Sequence, residues 1–131
     1  MIVFVILLCG CSSSKDNDNN LLGLKLKVSD VTDSGLKLTC TQSNKDLNGE
    51  IKADLKYYIE KYDDNSWTEL EYISSVHWDE TSIFTIPQNG EYYWTLYWSF
   101  YGNLSKGDYR VKKIFNYENK EYVYYAEFEI N

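Results

Sequence analysis

Residues 104–111 read Leu-Ser-Lys-Gly-Asp-Tyr-Arg-Val. Gly107 permits a sharp bend, and Tyr109 follows it at the head of an alternating stretch. A tyrosine placed there can bury its ring at the end of a core. Its hydroxyl can return to a backbone carbonyl a few residues upstream, while Leu104 plugs the space beneath. This is the pattern of a tyrosine corner, which forms where a connection enters a new strand of an antiparallel sandwich. Leu104, Gly107 and Tyr109 are therefore expected to be structural.

The flanking sequence agrees. Upstream, residues 90–102 read GEYYWTLYWSFYG. Their even positions (Tyr92, Trp94, Leu96, Trp98, Phe100) make the better core face, because side chains alternate across a strand. Their odd positions place Tyr93, Tyr97 and Tyr101 on the outside. Downstream, Asp108–Asn116 and Glu121–Ile130 predict a closing hairpin. Near the start, Leu22, Leu24, Leu26 and Val28 alternate with Gly23, Lys25 and Lys27. Leu36, Leu38 and Cys40 do so with Lys37, Thr39 and Thr41, after a turn at Asp33-Ser34-Gly35. Asp54–Tyr62 predicts a further strand, turned by Asp63–Ser66 into Trp67–Leu70. Glu71–Glu80 is irregular, and Thr81–Ile86 is a short strand ended by Pro87. With 13 Tyr, 4 Trp and 1 Pro in 131 residues, the composition also favours sheet. The expectation is an all-β, antiparallel sandwich of seven to eight strands.

The tyrosine corner points to an Ig-like arrangement. In the antibody version a cysteine follows that tyrosine by two positions, but here the residue is Val111. Cys40 sits on the inward side of its strand, where the partner would lie. No intrachain disulfide is expected, and Cys40 should be a buried free thiol.

Four segments carry a resemblance: VSDVTDSGLKLTCTQ (28–42), YYIEKYDDNSWTEL (57–70), TIPQNGEYYWTLYWSFYGNLSKGDYRV (85–111) and EYVYYAEFEI (121–130). Together they resemble the bacterial Ig-like domain family found in small lipoproteins of Gram-positive anaerobes. The resemblance covers nearly all of Leu22 to Ile130. It implies an Ig-like fold and an envelope location, and it supplies no catalytic residues.

The first twenty residues belong to a different regime. Met1–Leu8 is apolar but shorter than the roughly 20 residues that span a bilayer. Leu8-Cys9-Gly10-Cys11 matches a bacterial lipobox, with cleavage after Gly10 and lipid attachment at Cys11. No basic residue precedes Lys15, so the usual n-region of an export signal is missing. A start placed too late or a trimmed segment would explain that. Ser12–Asn20 is polar and reads as a flexible tether. Residues 1–10 are thus expected to be a signal-peptide remnant, 11–20 the lipidated cysteine and tether, and 21–131 the Ig-like domain.

A net charge of −7 argues against nucleic acid, which needs a basic face. His77 is the sole histidine, so Ser75, His77 and Asp79 are the only residues that could suggest a hydrolytic triad. In an extended segment they form a line, whereas a triad must converge. One histidine and one buried cysteine do not make a zinc site. No cofactor and no metal are expected. The expected role is non-enzymatic binding at the cell envelope, outside the cytoplasm, with the membrane engaged through the lipid anchor alone. A protein partner at sheet edges or loop tips leads. A glycan stacked on Tyr93, Tyr97 and Tyr101 is the alternative, and a small enzyme or enzyme inhibitor the remote one. The bland reading of those tyrosines is cross-strand packing against neighbours such as Tyr58 or Tyr125. Three exposed, coplanar tyrosines would favour glycan. A buried tyrosine face beside an apolar loop cluster would favour protein.

Overall fold

A computed structural model describes residues 20–79 and 81–131. The lipobox, Gly10 and Cys11 lie outside the described residues. Among the described residues there are nine strands: β1 (Leu24–Ser29), β2 (Gly35–Gln42), β3 (Ile51–Ala53), β4 (Tyr58–Asp63), β5 (Ser66–Glu69), β6 (Phe84–Ile86), β7 (Glu91–Tyr97), β8 (Gly107–Tyr117) and β9 (Lys120–Ile130). All pairings are antiparallel. One sheet has the order β1-β2-β7. The other runs β5-β4-β8-β3-β6, with β9 paired to β8 along its full length. The two form a sandwich, the architecture expected from the alternating pattern.

The inward faces follow the sequence alternation. Leu36, Leu38 and Cys40 of β2 meet Trp94 and Leu96 of β7, and across the gap lie Val111, Phe115, Ala126 and Phe128, all buried. Cys40 is fully buried and free. Burial pushes its thiol up to about 12, against the pull of the Lys113 ammonium, so it is no nucleophile at neutral pH.

The strand count exceeds the expectation because Ile51–Ala53 forms a strand of its own, while the strand expected over Asp54–Tyr62 begins only at Tyr58. Ile51 pairs with Tyr117 at the far end of β8, whereas Tyr58 pairs with Lys112 nearer its start. Between them the chain leaves the ladder. Asp54 caps the bend by accepting the Lys56 backbone N–H at 2.9 Å. The bend turns the carbonyls of Asp54 and Lys56 inward, and Lys113 of β8 reaches in to satisfy both. Its Nζ donates to Asp54 O and, at 2.7 Å, to Lys56 O. The ammonium also stands 4.6 Å from the centre of the Trp94 ring. A fully buried lysine thus serves as the hydrogen-bond donor that the broken strand lost.

Tyr109 has 1% of its surface exposed, and its hydroxyl donates to Ser105 O at 2.6 Å. Leu104 is buried beneath the corner, and its N–H donates to Asp33 O at 2.8 Å, tying the corner to the β1–β2 turn. Gly107 takes φ +156°, and a Cβ there would lie 3.2 Å from Lys61 Cε. Tyr109→Phe should keep the fold and lose about 1–2 kcal/mol, the value of one buried hydrogen bond plus an orphaned carbonyl. Urea unfolding of the two proteins side by side measures it.

Candidate binding surfaces

After Tyr97 the strand period ends. Trp98 has φ −114° and ψ 55°, a 3-10 turn spans Ser99–Tyr101, and Gly102 closes it at φ +74°. Trp98 still points inward and is fully buried. The turn changes the phase from two residues to three, and Tyr101 is carried into the core. The outward expectation for Tyr101 is therefore incorrect: it has 7% exposure. Its hydroxyl accepts the Ile59 N–H at 3.1 Å, and burial raises its phenol.

Tyr93 and Tyr97 do face solvent, with exposures of 57% and 74%. They share the outer face of β7, about 13 Å apart along the strand. Tyr93 lies opposite Thr39, and the Lys37 ammonium stands 4.3 Å from its ring centre. Tyr58 and Tyr125 are not their neighbours. Both flank Lys112 on the outside of the other sheet.

That second outer face is closed by its own contacts. The Arg110 guanidinium lies between the Trp67 ring at 4.4 Å and the Tyr125 ring at 3.7 Å. Its Nε donates to Glu60 Oε1 at 2.6 Å. Lys112 reaches Glu69 at 3.4 Å and stands 5.0 Å from the Tyr58 ring centre. These cations are already partnered, so the face reads as structural cover.

The irregular segment after β5 builds a surface that alternation could not reveal. Leu70 N–H donates to Ile59 O, and Ile73 N–H donates to Phe100 O at 2.7 Å. Trp78 then sets its ring edge-on to Tyr57 at 5.3 Å and to Phe100 at 5.4 Å. Tyr72 meets Phe100 at 5.3 Å and Tyr101 at 5.2 Å. Tyr57 anchors the cluster from below by donating to Tyr97 O at 3.1 Å; burial raises its phenol. Above this buried floor, Tyr72 remains 38% exposed and Ile73 71% exposed. Ile73 lies over Gly102, where an added Cβ would come within 3.1 Å of its Cδ1. The flank is an apolar patch on a rigid aromatic base. The only hint in the sequence was Tyr72, Ile73 and Trp78 lying in a segment without strand alternation.

No triad forms. Ser75 and His77 are exposed. Both oxygens of Asp79 are occupied locally, Oδ1 accepting from Thr81 N–H and Oγ1 and Oδ2 from Ser82 Oγ. These bonds hold its carboxyl down at about 2. Among the described residues no three His, Cys, Asp or Glu side chains gather as metal ligands, and no helix is long and apolar enough to cross a membrane.

A family model described as a bacterial Ig-like domain matches residues 18–129. No curated protein and no solved structure matches the chain.

Proposed function

Because the chain belongs to the bacterial Ig-like domain family, we propose that it is a non-enzymatic interaction module at the cell envelope that binds a protein. The observation that carries this reading is the flank made by Tyr72 and Ile73 over Phe100, Trp78 and Tyr101. An exposed isoleucine beside a half-exposed tyrosine, on a floor fixed by edge-to-face rings, resembles the centre of a protein interface. The burial of Tyr101 removes the third platform that stacking on a glycan through Tyr93, Tyr97 and Tyr101 requires. In this reading Cys11 carries the lipid, Gly10 is the cleavage point and the polar residues that follow form a leash ending before Asn20, whose side chain bonds to Leu24 O and Tyr124.

Two experiments address the two halves. Affinity capture from envelope extract should retain a discrete partner on the parent and lose it on Tyr72→Ser/Ile73→Asp. Ile73 stands at the surface, and Tyr72 gives up its ring contacts with Phe100 and Tyr101, so that variant should melt somewhat below the parent and still be folded at the temperature of the capture. Equal capture by both proteins would refute the flank as the site. Labelling with radioactive palmitate should mark the parent and not Cys11→Ala. An unlabelled parent would remove the lipid anchor from the account.

A further inference from the structure

The outer face of the β1-β2-β7 sheet carries charge of the opposite sign to the chain as a whole. The pairing registers place Lys25, Lys27 and Lys37 in three consecutive rows across this face. Each row is about 7 Å from the next along the strands. Threonines fill most of the positions between them, and Glu91 at one corner is the single carboxylate on the strands of this face. The chain has a net charge of −7, and the outside of the other sheet bears Glu60, Glu69, Asp108, Glu127 and Glu129. The ion pairs Glu60–Arg110 and Glu69–Lys112 belong to that other sheet. The three lysines thus form a positive stripe on an acidic molecule.

The aromatic residues on the same face are not randomly placed. The Lys37 ammonium rests 4.3 Å from the Tyr93 ring centre, which holds it over the middle of the face. Tyr97 lies in the row beyond Lys37, opposite Gly35, with 74% of its surface exposed. Gly35 lets β7 approach closely at that row, since a Cβ there would come within 2.3 Å of Leu96 O and 3.2 Å of Tyr97 Cδ1. An open phenol ring beside a stripe of ammonium groups and hydroxyls suits a ligand with sugar rings and regularly spaced carboxylates. We infer that this face binds a linear acidic polysaccharide, with a sugar ring on Tyr97 and carboxylates on Lys25, Lys27 and Lys37. The surface is distinct from the apolar flank, and the inference does not depend on that flank binding a protein.

The test is affinity electrophoresis of the full chain through gels containing polygalacturonate, with dextran as the neutral control. Polygalacturonate should retard the protein, dextran should not, and added salt should weaken the effect. The triple variant K25E/K27E/K37E should lose roughly tenfold or more in affinity. K52E/K106E/K120E changes the net charge equally on other surfaces and should bind like the parent. Tyr97→Ala should weaken binding about threefold, and Tyr72→Ser/Ile73→Asp should leave it unchanged. Absence of retardation, or equal losses in the two triple variants, would overturn the proposal. Sedimentation with phosphatidylglycerol–phosphatidylcholine vesicles supplies the remaining arm. Vesicle binding abolished by K25E/K27E/K37E, without retardation by polygalacturonate, would assign the face to a bilayer and likewise overturn it.

Discussion

Lys113→Ala should destabilise the domain by about 4 kcal/mol, the largest loss expected from any single polar side chain here. Two effects combine. The carbonyls of Asp54 and Lys56 lose their shared donor inside the sandwich, at about 1–3 kcal/mol for each buried group left unpaired. The vacated volume beside Trp94 adds a cavity term. Lys113→Met refills the volume and removes a buried charge but still orphans the carbonyls. It should cost about 2 kcal/mol. Urea midpoints at constant slope measure both, and an alanine variant within about 1 kcal/mol of the parent would refute the bend-clamping role.

The same lysine should leave a signature in pH. Burial lowers its ammonium from 10.5 to about 8, with Asp54 and Cys40 pulling the other way. Between those values the unfolded chain holds the proton and the folded chain does not. The unfolded state therefore binds more protons, and stability rises with pH across the window. Below about pH 8 this contribution is absent. The Cys40 thiol opposes the rise from 9.0 upward, because burial raises it to about 12 in the folded state. The increase should accordingly be clearest between about pH 8 and 9, in the parent and not in Lys113→Met.

Trp98→Ala should also cost about 4 kcal/mol, and for a domain of this size should lower the melting temperature by roughly 20 °C. The indole is fully buried. Its ring stacks on Phe128 at 5.8 Å, which in turn stacks on Tyr109 at 5.6 Å. Its Nε1 donates to Asp33 O at 2.9 Å, so one side chain joins the β1–β2 turn to the tyrosine corner. Trp98→Phe keeps most of the packing and removes one of the two hydrogen bonds to that carbonyl, which still accepts the Leu104 N–H, and should lose about half as much. Calorimetry of the three proteins checks the order. A phenylalanine variant as unstable as the alanine variant would mean that the hydrogen bond dominates over packing.

The residues that period-2 alternation governs were legible in advance. Trp94, Leu96 and Trp98 point inward, Tyr93 and Tyr97 point outward, and Cys40 is buried. Tyr101 departs from that alternation because the 3-10 turn at Ser99–Tyr101 changes the period after Tyr97, and only Gly102 marks the place. Lys113 shares the inward phase of Val111 and Phe115, but its role needs a partner nearly sixty residues away. The bend that exposes the Asp54 and Lys56 carbonyls is a tertiary event with no local signal. The apolar flank eluded sequence reasoning for the same reason. Tyr57, Tyr72, Trp78 and Phe100 meet only once the sheets bring distant segments together.

The apolar flank is the centre of the functional account, and a contact made there can be trapped directly. A photo-crosslinking amino acid at position 73, in the full chain expressed in intact cells, should yield one discrete protein adduct on illumination. The same group at the exposed position of Thr68 should yield none. Adducts of similar pattern from both positions, or none from position 73, would contradict the account.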